Sequence, residues 1–154
     1  MTYTCDVIER KAQPTLGIRM RCGVQDLQKK IPESYKALFE YLEQTGQEMA
    51  GAPYAAYFNM DMQNLDVEAG VPVAMKLPGK GDIQPGEVSA GKAAACTHVG
   101  PYGTLPAAYE ALGRWMAQQK LEGDGTTYEI YLNDPQEVSP EELETQIVMP
   151  LKRK

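Results

Sequence analysis

Residues 31–42 read IPESYKALFEYL, and residues 105–116 read LPAAYEALGRWM. When the two stretches are aligned at a shift of 74 positions, Pro, Tyr, Ala and Leu coincide. Each stretch has proline near its start and apolar residues at i, i+4, i+7 and i+11, which predicts an amphipathic helix. The apolar positions are Ile31, Tyr35, Leu38 and Leu42 in one helix and Leu105, Tyr109, Leu112 and Met116 in the other.

The same shift aligns residues outside the two helices. AAYFN at 55–59 falls on EIYLN at 129–133, and Cys22 falls on Cys96. Strand-like segments lie before and after each helix, in the order strand, helix, strand, strand. They cover residues 15–22, 53–61 and 65–75 around the first helix and 91–98, 126–134 and 143–151 around the second.

This order predicts an α+β fold in which the chain, 1–154, is a single domain of two tandem copies, about 1–76 and 77–154. We expect the strands to form an antiparallel sheet with both helices on one face. The segment LPGKGDIQPGE at 77–87 is rich in Gly and Pro, so we expect it to join the copies. Gly46 and Gly123 are predicted to lie beyond the helix ends.

Alternation along a strand predicts which side chains share a face. In TTYEIYLNDP at 126–135, we expect Ile130 and Leu132 to face the helical layer. Glu129 and Tyr131 would then face the opposite, concave side of the sheet. The stretch therefore predicts a carboxylate and a phenol side by side on one wall.

The copies differ at Glu129, because the aligned residue in the first copy is Ala55. A partly desolvated carboxylate costs several kcal/mol unless it is paired, and its pKa rises. A lipophilic cation would supply the missing charge, and the aligned residues Tyr57 and Tyr131 would offer ring faces. These residues favour a binding site for hydrophobic cations.

Charge and composition exclude several classes of function. The chain has 154 residues and a net charge of −6, so clustered basic surfaces for nucleic acid are not expected, whereas cationic small molecules are favoured partners. No apolar run is long enough for a membrane span, and the first residues do not resemble a secretory signal, which predicts a cytoplasmic protein. Three cysteines and one histidine indicate neither a disulfide framework nor a metal site, and no cofactor is expected.

The run THVGPYGTLPAAYEALGRWM at 97–116, followed by YEIYLNDP at 128–135, resembles the GyrI-like (gyrase-inhibitor-like) small-molecule-binding domain. This domain is the effector-binding module of AraC-type and MerR-type multidrug-responsive regulators. The resemblance implies a ligand crevice between the repeats. It also implies that a strand glutamate, matched here by Glu129, and surrounding aromatic rings bind bulky aromatic cations.

The resemblance further implies a role in sensing or sequestering a drug or toxin. Because 154 residues leave no space for a helix-turn-helix domain, we expect a free-standing sensor whose regulator would be a separate protein. The predicted ligand-binding residues are Glu129, Tyr131, Tyr57, Trp115 and Tyr41.

Several alternatives stay open at this point. Glu129 could pair with Arg19 or Arg21, and the aromatic residues could serve in packing alone. Some members of the superfamily that this chain resembles are hydrolases of strained electrophilic toxins, and a desolvated Glu129 suits a general base. Inhibition of DNA gyrase is a further alternative, and exposed strand edges could pair two chains.

A hydrolase would need a second acid or donor near Glu129. The candidates are Glu68, Asp61, Tyr131 and His98. Spacing alone brings none of them to Glu129, so a binding protein is ranked above an enzyme. His98 is expected to be a surface or strand-end residue.

Overall fold

The structure, a computed structural model, describes residues 3–152. These residues form two α-helices and eight strands, and every strand pair within the two units described below is antiparallel, so the predicted α+β class is confirmed. The elements are β1 Cys5–Arg10, β2 Gln13–Cys22, α1 Leu27–Thr45, β3 Tyr54–Tyr57, β4 Leu65–Pro72, β5 Gln84–Val88, β6 Gly91–Val99, α2 Leu105–Gln118, β7 Thr127–Tyr131 and β8 Glu144–Pro150.

The chain divides into two compact units. The first unit is Lys11–Ala90, and the second unit contains the residues up to Arg10 together with those from Gly91 onward. The boundaries differ from the predicted copies because β1 pairs with β6, while β5 pairs with β2. The division into copies at 1–76 and 77–154 stays a prediction.

In the first unit, four strands lie in the order β3, β4, β2, β5, and α1 covers one face. Leu16 lies opposite Val71 in the register of β2 and β4, and both are fully buried. Leu38 and Leu42 of α1 pack against them, so the apolar stripe of the helix meets one face of the sheet. The remaining buried members of this core are Tyr41, Val73 and Ile83.

Helix α1 begins at Leu27, one turn before the predicted start. Pro32 is therefore inside the helix rather than in its first turn. Proline has no N–H to bond the carbonyl of Gln28, but Gln28 is exposed and water can bond it. The helix ends where expected, since Gly46 adopts a left-handed φ of 70° and its N–H bonds the carbonyls of Glu43 and Leu42.

In the second unit, four strands lie in the order β1, β6, β8, β7, and α2 covers one face. Small side chains on β6, Ala94 and Cys96, let the helix approach closely. Leu112 and Ile147 are fully buried at the centre of this core. Proline does mark the start of this helix, because Pro106 is its second residue.

Two strands have no counterpart in the predicted elements. β5 lies in the segment expected to be only a joint, and four of its five residues are exposed. It pairs with β2 through backbone atoms, so its sequence needs no alternating apolar residues. β1 likewise buries none of its side chains fully, which removed the periodic signal.

The cysteines are free thiols: Cys22 and Cys96 are buried, and Cys5 is half-buried. Burial raises the pKa of Cys96 to about 12, which keeps this thiol protonated and unreactive. Cys22 and Cys96 thus serve as small apolar side chains in the interior. Neither helix in residues 3–152 combines the length and apolar character that crossing a membrane requires.

Candidate functional site

Glu129 lies in the middle of β7 and faces α2. Its register partner is Ile147, which belongs to the core beneath α2, and partners across an antiparallel pair share a face. The predicted orientation was therefore wrong. Ile130, expected under the helices, packs instead on the other face of the second unit, and Leu132 lies outside β7 and is exposed. The core that Ile130 contacts consists of Ala93, Ala95 and Val148.

The Glu129 side chain is 9% exposed, and both carboxylate oxygens accept hydrogen bonds. Tyr109 of α2 donates to Oε2, and Tyr131 of β7 donates to Oε1 at 3.0 Å. Within residues 3–152, no Lys, Arg or His nitrogen forms an ion pair with this carboxylate. The negative charge is thus held by hydroxyl groups rather than by a counter-ion.

Burial raises the pKa of Glu129 above its ordinary value near 4.5, and the hydrogen bonds from Tyr109 and Tyr131 oppose that rise. The charged form loses hydration in this position, and the two phenols replace only part of it. A cation reaching the carboxylate would stabilise the charged form.

Tyr102 connects the site to solvent. Its ring meets the Tyr131 ring edge-on, with centroids 5.7 Å apart and an interplanar angle of 68°. It is 38% exposed, and burial, with the nearby charges of Asp134 and Glu129, raises its pKa. Two phenol groups therefore bond the carboxylate, and a third, Tyr102, packs against one of them and reaches the surface.

Sequence reasoning did not select Tyr109 as a site residue, because it fills an apolar position of the α2 stripe. The aligned residue of α1, Tyr35, donates instead to the backbone carbonyl of Tyr54 at 2.5 Å. A signal was present in the alignment: both helices carry tyrosine at this position, but the strand residue aligned with Glu129 in the first copy is Ala55.

The other predicted binding residues occupy packing positions or lie in the first unit. Tyr41 is 8% exposed in the core beneath α1, and its hydroxyl donates to the carbonyl of Pro78 at 2.6 Å. Tyr57 is half-buried at the end of β3. Trp115 is partly buried against the core beneath α2. Among the predicted tyrosines, Tyr131 donates a hydrogen bond to Glu129.

Arg19 and Arg21, the two counter-ions considered for Glu129, contact Asp66. Arg19 forms two hydrogen bonds with the Asp66 carboxylate, at 2.8 and 2.6 Å, and an Arg21 nitrogen lies 3.6 Å from it. The Arg19 bond lowers the pKa of Asp66. Arg19 also lies over the Phe58 ring, 4.2 Å from its centroid. Both guanidinium groups are thus engaged within the first unit.

Two of the donors considered for a hydrolase also belong to the first unit. Glu68 is half-buried on β4, where burial raises its pKa, and it accepts a bond from the Tyr54 hydroxyl at 3.3 Å. Asp61 is exposed and accepts the Gln63 N–H. Neither residue is a hydrogen-bond partner of Glu129 among residues 3–152.

His98 was expected at the surface or at a strand end; it is the last residue but one of β6, but it is buried, with an exposure of 1%. Its Nδ1 lies 2.9 Å from the Tyr3 hydroxyl, and its Nε2 lies 2.8 Å from Thr104 Oγ1. The ring therefore ties β6 to the 3-10 turn before α2 and to the segment before β1.

The sequence matches the family model of the GyrI-like small molecule binding domain over residues 3–152. None of the curated proteins compared with the chain matches it.

Solved structures share its fold. The C-terminal domain of EcmrR has a TM-score of 0.81 and 21% identity, with 100% of each chain covered. EcmrR bound to DNA has a TM-score of 0.86 and 18% identity, covering 99% of this chain. The present chain spans only 58% of that EcmrR chain.

Two further similar structures are those of a hydrolase and of a protein bound to a small molecule. A hydrolase from Listeria innocua has a TM-score of 0.68 and 15% identity, with 96% of this chain and 91% of the hydrolase covered. SAV2435 bound to tetraphenylphosphonium has a TM-score of 0.65 and 12% identity, with 99% and 94% covered. At these identities the likeness shows the fold alone.

Proposed function

Because the chain belongs to the GyrI-like family of small-molecule-binding domains, we propose that it binds hydrophobic, cationic or aromatic small molecules at Glu129. The observation that carries this proposal is the buried carboxylate, which two tyrosine hydroxyls bond and no ion pair within residues 3–152 neutralises. A bound cation would neutralise the negative charge of Glu129.

The expected binding energies favour a hydrophobic organic cation over an inorganic one. A cation against Glu129 offsets its desolvation, and each ring face within reach adds roughly 0.5 to 2 kcal/mol of cation–π attraction. Burial of apolar ligand surface contributes about 25 cal/mol per Å². A micromolar complex needs only about 8 kcal/mol, so one carboxylate with Tyr102, Tyr109 and Tyr131 suffices without strict shape matching. Broad ligand specificity is the expected result.

Two further observations support this class of ligand. SAV2435, which shares the fold, is bound to tetraphenylphosphonium, a lipophilic cation. The net charge of −6 attracts cations to the protein and repels anions. The biological role would be sensing or sequestration of a drug or toxin in the cytoplasm. The fold likeness to DNA-bound EcmrR supports a relation to regulators.

The test is a titration with tetraphenylphosphonium, and with tetraphenylborate as an anion of nearly the same size and shape. Binding is followed by the fluorescence of Trp115, the single tryptophan, and by melting temperature. At 100 times Kd the cation should stabilise the fold by about 2.7 kcal/mol, which raises the melting temperature by roughly 5–10 °C. Tetraphenylborate should give no such shift.

Glu129→Gln should weaken tetraphenylphosphonium binding at least about tenfold, since it removes the charge and keeps the shape. Glu68→Gln is the matched control, because Glu68 also has a raised pKa and a tyrosine partner but lies in the first unit. If the Glu129 variant binds the cation as tightly as the parent, the charge argument fails.

Hydrolysis of strained electrophiles is the second candidate, favoured by one observation. A carboxylate with a raised pKa lies beside two phenols, so Glu129 could activate water while Tyr109 or Tyr131 donates a proton to a leaving group. Incubation with a reactive epoxide or cyclopropane separates the candidates. Product formed over many turnovers supports the hydrolase, and stoichiometric protection of the compound supports the binder.

A further inference from the structure

Thr145 of β8 carries a buried hydroxyl with no hydrogen-bond partner. The residue is 0% exposed, and its Oγ1 is the one buried side-chain nitrogen or oxygen in residues 3–152 without a partner. The polar groups nearby are satisfied: Glu129 accepts two bonds, and both ring nitrogens of His98 have hydroxyl partners. An unsatisfied buried hydroxyl destabilises a protein, and valine would fill the same space without this cost.

The position of Thr145 links this hydroxyl to the carboxylate. Thr145 lies opposite Tyr131 on β7 and opposite His98 on β6, so the three side chains form one row on the face that α2 covers. Glu129 lies opposite Ile147, two residues along β8, which makes Thr145 its diagonal neighbour. Diagonal neighbours of an antiparallel pair are about 7–8 Å apart.

Tyr131 is a direct neighbour of both groups. Its hydroxyl donates to Glu129 at 3.0 Å, and its backbone is the register partner of Thr145. Tyr102, which meets Tyr131 edge-on, lies on the solvent side. A ligand that separates this ring pair would meet the carboxylate and the hydroxyl together.

We propose that Thr145 is a second recognition point of the Glu129 site, donating its hydroxyl proton to a hydrogen-bond acceptor on the ligand. This inference rests on the proposed function and adds a chemical class: lipophilic cations that carry an oxygen acceptor one aromatic ring away from the charge. The diagonal spacing of about 7–8 Å between Glu129 and Thr145 sets that separation. Cations without the acceptor bind at Glu129 alone.

Two probes of matched size test the inference: (4-hydroxyphenyl)triphenylphosphonium and (4-methylphenyl)triphenylphosphonium. Both place a substituent one ring away from phosphorus, but only the first can accept a hydrogen bond. The parent protein should bind the hydroxy probe about 2- to 10-fold more tightly, the range of one net hydrogen bond.

Thr145→Val should abolish that preference and leave affinity for the methyl probe within about twofold. Without ligand, it should raise the melting temperature, because the unsatisfied hydroxyl is gone. Thr145→Ser keeps a hydroxyl and should keep the preference. Thr15→Val, at a buried threonine on β2 of the first unit, is the control for loss of a hydroxyl elsewhere.

Each other outcome is decisive. Equal binding of both probes by the parent, or a preference retained by Thr145→Val, overturns the role of Thr145 while the proposed function stands. A lower melting temperature of unliganded Thr145→Val shows that the hydroxyl is already bonded, and overturns the inference as well. If neither probe nor tetraphenylphosphonium binds, the proposed function fails and this inference falls with it.

Discussion

Tyr109 and Glu129 are twenty residues apart in the chain and meet through a hydrogen bond from the α2 hydroxyl to the β7 carboxylate. In the first unit the aligned tyrosine, Tyr35, bonds the carbonyl of Tyr54 instead. The same helix position thus serves a structural bond in one unit and holds an ionisable group in the other.

Tyr109→Phe should raise the pKa of Glu129 further, because burial persists while one of the two donors is lost. The variant should lose about 1–3 kcal/mol of stability, the range for a bond to a charged or buried group. Tyr35→Phe should also cost stability. Only Tyr109→Phe should move the pH midpoint of tetraphenylphosphonium affinity upward. Urea unfolding and titrations across pH measure both effects, and equal midpoints in the two variants would contradict the coupling.

Cation affinity should rise with pH. The folded pKa of Glu129 lies above its ordinary value near 4.5, and the cation prefers the carboxylate, so affinity should increase by up to about tenfold per pH unit and level off above the folded pKa. Binding should release protons in that window, which calorimetry in two buffers measures. Glu129→Gln should flatten the profile, and Glu68→Gln should not.

The contribution of Glu129 to the stability of the unliganded protein should depend on pH in the opposite direction to cation affinity. Between the unfolded and the raised folded pKa, the folded state binds more protons, so the Glu129 contribution to stability falls as pH rises. Glu129→Gln should therefore gain stability relative to the parent as pH rises through this window. Urea unfolding at a series of pH values measures it, and a parallel offset at all pH values would show that desolvation of the charge is not the cause.

The sequence predicted the helices and six of the strands because these elements bury regular apolar stripes. It did not predict β1 and β5, which are held mainly by backbone pairing. The Cys22 and Cys96 match was also misleading. Ala55 and Glu129 align at the shift of 74. In the register of the sheet, Ala55 is connected through Ala69 to Ile18, and Glu129 is connected through Ile147 to Cys96. Strands β2 and β6 therefore correspond at a shift of 78 rather than 74. The extra first turn of α1 accounts for the four residues.

The sequence analysis placed Glu129 and Tyr131 side by side, and a hydrogen bond joins them, but it assigned both to the wrong face. Strand alternation groups side chains into two sets, yet it does not decide which set a helix covers when both contain apolar residues. Ile147 belongs to one buried cluster, and Ile130 packs against another on the opposite face of the second unit. The hydroxyl of Tyr109 could be assigned only once the helix was placed over the carboxylate.

Arg19→Met and Arg21→Met should leave tetraphenylphosphonium affinity unchanged within about twofold, because both arginines contact Asp66. Arg19→Met should cost about 0.2–1 kcal/mol at neutral pH, since the side chain is 58% exposed. The pKa of Asp66 is lowered, so this contribution is present above the unfolded value and is lost as pH falls through the folded one. A strong loss of cation binding would show that Arg19 acts on the ligand site.

Gly70→Ala should destabilise the first unit without changing cation binding. A methyl group at Gly70 would collide with the Cζ and hydroxyl atoms of Tyr54, which is 5% exposed and therefore confined. Such overpacking costs about 1–3 kcal/mol. Adding Tyr54→Leu should make the double variant lose less than the sum of the single losses, because the colliding ring is gone.

Gly113→Ala is the control: a methyl group there has nothing within 4 Å, and it should stabilise α2 by about 0.5–1 kcal/mol. Urea unfolding of the four variants decides the matter, and additive losses would mean that Tyr54 is not what Gly70 accommodates.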